Sequence, residues 1–109
     1  MRTRSLQKEH ERLASNHNEA KYRFILTELD LAITFCDMAL SSHDRARSTR
    51  NTENARQAYK AATHFLEDAN FPDQVKAHLH EKVVRLRNLL RRVDRHEHTL
   101  AASKSVAAP

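Results

Sequence analysis

The chain is 109 residues long, with no glycine, no tryptophan and two prolines, and 19 Lys and Arg against 14 Asp and Glu give a net charge of +5 with histidine neutral. That length makes one small domain. Without glycine there is no P-loop, dinucleotide fingerprint or nucleophile elbow, each of which needs backbone that glycine adopts cheaply, and tight β-hairpins lose their usual turn residue, so the composition points to an all-α protein.

Residues 1–15 open with a basic Met1-Arg2-Thr3-Arg4-Ser5 that no apolar stretch follows, which argues against a secretory signal, and Glu9 and Glu11 argue against a transit peptide. Leu6, Leu13 and Ala20 recur at seven-residue steps, so this part reads as a polar arm or a helix extension. The bundle domain is placed at 16–100. Asn16 followed by Glu19 has the spacing of a capping box, which predicts that the first helix starts there. Tyr22, Ile25, Leu26, Leu29, Ala32, Ile33, Cys36, Ala39 and Leu40 then share one face at 100° per residue, and Ser41-Ser42-His43 ends the run. Phe24, Leu31, Phe35 and Met38 fall within about a 60° arc of their own, expected on nearly the opposite side of the helix. A surface helix of a lone three-helix bundle does not need two apolar faces, so this helix is either central or covered on its far side by the N-terminal arm or by another chain, and the second row is the candidate self-association surface.

Arg45, Arg47 and Arg50 crowd the next segment with only Asp44 opposed. Cations oppose the macrodipole in a first helical turn, which places the start of the second helix near Asn51, with Asp44 as the alternative. The Ser48-Thr49-Arg50-Asn51 corner, with Arg45 and Arg47 beside it, is then a candidate anion-holding helix start. Ala55, Ala58, Tyr59, Ala62, Phe65, Leu66 and Ala69 form the apolar face of this helix. Asn70 is suited to a left-handed C-cap and Pro72 to the start of a third helix. That helix is predicted from Pro72 to Thr99 on the seam Val75, Leu79, Val83, Leu86, Leu90 and Val93, flanked by Val84 and Leu89. Arg87, Arg91 and Arg95 step by four along its outer face, with Arg85 and Arg92 on a second ridge. Ala101–Pro109 reads as a disordered tail. Three long amphipathic helices with short connections make an up-down-up bundle.

The run Ala32-Ile33-Thr34-Phe35-Cys36-Asp37-Met38-Ala39-Leu40 resembles the second helix of a tetratricopeptide repeat, and Ala55, Tyr59 and Ala62 repeat its Ala-x-x-x-aromatic-x-x-Ala spacing. The two copies lie 23 residues apart, and no Trp-Leu-Gly first helix accompanies them. Similar spacing occurs in microtubule-interacting-and-transport domains. The resemblance implies helices packed as in helical-hairpin interaction modules and assigns no binding residues.

The eight histidines offer neither His-x-x-x-His nor Glu-x-x-His, and His78/His80 and His96/His98 diverge by about 200° around a helix, so no metal or cofactor is expected. Cys36 lies in the apolar stripe, where a thiol fills space rather than attacks, and Asp30 and Asp37 flank Thr34 on a face expected to be solvated. No segment has the ~20 apolar residues of a membrane span. The sequence therefore predicts a cytoplasmic, non-enzymatic interaction module that pairs with itself or with another helical protein. The alternative is a nucleic-acid-binding accessory protein. Its candidate polyanion ligands are Arg45, Arg47, Arg50, Arg87, Arg91, Arg92 and Arg95.

Overall fold

Three helices, and no strand among the described residues, make up the computed structural model, which describes the backbone of residues 2–107 and the side chains of Lys8 and of residues 17–102. Helix α1 spans Arg2–Ser41, α2 Arg45–Asp68 and α3 Asp73–Ala107. The short connections at residues 42–44 and 69–72 turn each helix back on the one before it, so the fold is the expected all-α up-down-up bundle, with α3 parallel to α1.

The core follows the 3.6-residue period. Ile25, Leu29, Ala32, Cys36 and Ala39 from α1 meet Ala55, Ala58 and Ala62 from α2 and Leu79, Val83, Leu86, Leu89, Leu90 and Val93 from α3. Every buried residue of α2 is small, namely Ser48, Thr52, Ala55, Ala58 and Ala62. Small side chains let α2 approach closely, and the α1–α2 pairing is the most extensive of the three. The branched and long residues of α3 fill the remaining space. Tyr22 meets the buried Phe71 edge to face at 6.4 Å and closes one end of the bundle. At the other end, His96 Nε2 donates to Ser42 O at 2.9 Å and ties α3 to the carbonyl-rich end of α1.

The helices are longer than their caps suggest. Asn16 lies inside α1, which begins at Arg2. Residues 2–15 contain no proline or glycine and are rich in Arg, Leu, Gln, Lys and Glu, so nothing breaks the helix where the capping pattern predicts a start. The exposed Glu19 instead accepts from Arg23 one turn on, at 2.9 Å. The side chains of Leu6 and Leu13 lie outside the described residues.

Helix α2 starts at Arg45 rather than near Asn51, because Asp44 supplies an N-cap whose Oδ1 accepts from Ala46 N at 3.0 Å. One carboxylate at the cap outweighs the three arginines that follow it. At its far end Ala69 is the C-cap, with φ −85° and ψ 138°, and no described residue has a positive φ, so Asn70 does not take the left-handed position. Helix α3 begins at Asp73, one residue after the proline, and its first-turn bond runs from Lys76 N to Pro72 O at 3.0 Å. It continues past Thr99 to Ala107, so the backbone of residues 101–107 is helical, and Ala108 and Pro109 lie outside the described residues.

Because α1 begins well before Tyr22 and α3 ends well after His96, the two helices overhang opposite ends of the bundle. A 40-residue helix is about 60 Å long, and the whole molecule measures 83 × 21 × 18 Å.

Candidate interaction surfaces

The second apolar row of α1 does not lie opposite the core. Phe24 packs edge to face on Phe65 of α2 at 4.9 Å, and Phe35 is half-buried against the core. The row therefore occupies the flank of α1 that turns toward α2, and part of it is covered within the chain. What remains uncovered is concentrated: of the five large apolar side chains that are exposed among the described residues, Phe24 (42%), Leu31 (42%), Met38 (47%) and Phe65 (40%) lie along this α1/α2 flank, and Val84 (41%) is on α3. By helical rise the line from Phe24 to Met38 is about 21 Å long.

Phe65 belongs to this surface, although its period in α2 reads as core. It lies about 80° from Ala55 around the helix but only about 20° from the buried Ala58, which puts it at the edge of the buried arc. The border of the row is uncharged at Thr27 and Thr34, and the Thr34 hydroxyl is already satisfied by Asp30 O at 3.0 Å. Desolvating this border therefore costs little.

The basic residues divide into two groups. Arg45, Arg47 and Arg50 are exposed on the first two turns of α2. The anion-holding corner expected at Ser48–Asn51 does not exist as a loop, since those residues lie within α2. Ser48 is buried and its hydroxyl donates to Ala39 O at 3.3 Å, and the Asp44 carboxylate already occupies the helix start, where it also lies 3.8 Å from Arg47 Nε. A negative group at that position repels an incoming anion.

On α3, Arg85, Arg87, Arg91, Arg92 and Arg95 are all exposed. Asn88, Arg91, Arg92, Asp94 and Arg95 line an open groove of about 570 Å³. Two acids that face neighbouring helices are engaged there. Asp94 pairs with Arg56 of α2, and Asp30 of α1 accepts from Lys82 Nζ at 2.8 Å. Arg87 Nε donates to the Tyr59 hydroxyl at 2.8 Å, and none of the five arginines is in an ion pair with a described residue.

Little else on the surface is arranged for chemistry. Among the described residues no three His, Cys, Asp or Glu side chains come together in a way that could hold a metal ion. Asp30 turns to Lys82, and Asp30 and Asp37 have no hydrogen bond to each other. Cys36 is fully buried, and burial, with Asp37 adding, Arg56 opposing and Asp94 adding, pushes its thiol up to about 11. Glu97 is half-buried and its Oε1 has no hydrogen-bond partner among the described residues. No described helix is long and apolar enough to cross a membrane. Comparison with known proteins finds no matching family, no similar curated protein and no similar solved structure.

Proposed function

We propose that the chain is a non-enzymatic helical-bundle interaction module that associates with a second copy of itself through the α1/α2 flank. The observation that carries this reading is the concentration of Phe24, Leu31, Met38 and Phe65, each 40–47% exposed, on one side of an otherwise polar bundle. A second copy suits this row because it is complementary to itself. Leu31 is seven residues from both Phe24 and Met38, so in an antiparallel pairing about Leu31 each Phe24 meets the other copy's Met38. A thioether against an aromatic ring is a favourable contact. The same pairing sets Glu28 against Thr34, so no like charges oppose each other along the row.

The energetics make the dimer weak. Completing the burial of four side chains contributes about 1 kcal/mol each, or about 8 kcal/mol over both copies, against an association cost of roughly 4–15 kcal/mol. At most about 4 kcal/mol then remains, so dissociation is expected in the millimolar range or above. The lone buried thiol is compatible with a reducing, cytoplasmic setting.

Sedimentation velocity or light scattering over a concentration series tests the reading. The wild type is expected to shift from monomer to dimer, and Leu31→Glu to remain monomeric with unchanged helicity. A wild type that stays monomeric at high concentration, or a Leu31→Glu variant that associates as before, overturns it.

A further inference from the structure

Helix α3 carries a second surface that self-association through the α1/α2 flank leaves free. It holds eight Lys and Arg against four Asp and Glu, and so accounts for four of the chain's five net positive charges. The cations are placed on three sides of its exposed half. By helical period Arg91 and Arg95 stand with Asn88 on the outward crest, Arg85 and Arg92 lie on the flank toward α1, and Arg87 lies on the flank toward α2, where Tyr59 holds it. Of the three carboxylates beside this stretch, only Asp94 is engaged by a cation of another helix. Asp94, exposed beside Arg95, is bound to Arg56, Glu97 is half-buried, and Glu81, one turn before Arg85, is the nearest exposed acid outside an ion pair with a described residue.

We propose that the Arg85–Arg95 face of α3 is a DNA-binding surface that lies in the major groove of a B-form duplex. A helix is about 10–12 Å across with its side chains, and that groove is about 12 Å wide. Arg85 and Arg92 reach the phosphates of one wall and Arg87 those of the other. Asn88, Arg91 and Arg95 face the base edges, where Asn and Arg side chains pair bidentately with adenine and guanine.

The face is poorly suited to other polyanions. Helix α3 has no Phe, Tyr or Trp on which unpaired bases could stack, which disfavours single strands. Val84, at its N-terminal edge, is the only large apolar side chain exposed among the described residues of α3, too little to anchor this face in a lipid surface. The major groove of an RNA duplex is too deep and narrow to admit the helix.

The test is fluorescence anisotropy of the full chain against mixed-sequence DNA and RNA duplexes and phosphatidylserine vesicles over a salt series from about 50 to 200 mM. DNA is expected to bind with a slope of log affinity on log salt of about −3, as the three phosphate contacts require. RNA duplex and vesicles should bind at least about tenfold more weakly. Arg85→Gln with Arg92→Gln should flatten the slope by about 2, with unchanged circular dichroism. No DNA binding at about 50 mM salt, equal binding to RNA or vesicles, or a slope that this double variant leaves unchanged would each overturn the assignment.

Discussion

Cys36 shows how one position joins pattern, packing and chemistry. It lies on the buried stripe of α1 and is fully enclosed, and the enclosure pushes the thiol up to about 11. An unfolded cysteine titrates near about 8.5. The folded chain therefore retains this proton where the unfolded chain has lost it, and stability falls as pH rises from about 8.5 to about 11. Alkaline unfolding of wild type and Cys36→Ala isolates the contribution, because the variant should lack that part of the slope. An aromatic disulfide reagent at pH 8 should leave native Cys36 untouched and modify it fully in denaturant; rapid labelling of the native protein would contradict the burial.

The role of Cys36 was legible because an apolar stripe at helical spacing runs through it. The roles of Ser48 and Thr52 were not. Their type reads as surface, yet the Ser48 hydroxyl donates to Ala39 O and that of Thr52 to Ser48 O, so both can be buried at no cost in lost hydrogen bonds.

Among the elements, α2 has the sharpest packing requirement, since its buried positions are all Ala, Ser or Thr. Replacing Ala62 by Leu forces extra volume into the core and should cost roughly 1–3 kcal/mol, lowering the melting temperature by about 4–8 °C for each kcal/mol. Ala77→Leu on the exposed side of α3 is the control and should change stability by no more than about 0.5 kcal/mol. Equal melting temperatures for the two variants would show that α2 does not pack closely.

The identity and phase of all three helices within the bundle could be read from the period, because burial imposes it where the helices pack on one another. Their ends could not. The Asn16–Glu19 pattern marks a place where a helix can start, but the residues before it contain no breaker and the helix continues through them. The start of α2 was misjudged for a related reason, in that the arginine charges counted against a helix that Asp44 already caps.

At the scale of the whole molecule, the sequence could indicate that α1 has a surplus apolar row but not which neighbour it would meet. Phe24 and Phe65 are 41 residues apart in the chain, and only the rotation of α2 about its axis brings their rings together. The same rotation sets Arg56 against Asp94. Pairings between helices depend on how the bundle closes, and a one-dimensional period carries no record of that.

The opposed overhangs of α1 and α3 have a practical result. The radius of gyration is 19.7 Å, whereas a compact domain of about 100 residues has one near 13 Å. Such a rod drags through solvent and through a porous matrix like a much heavier sphere. On a gel-filtration column calibrated with round standards, a single 12.6 kDa chain should emerge early enough to be mistaken for a pair. A monomeric Leu31→Glu variant should emerge early as well, so elution volume by itself says nothing about stoichiometry for a molecule of this outline.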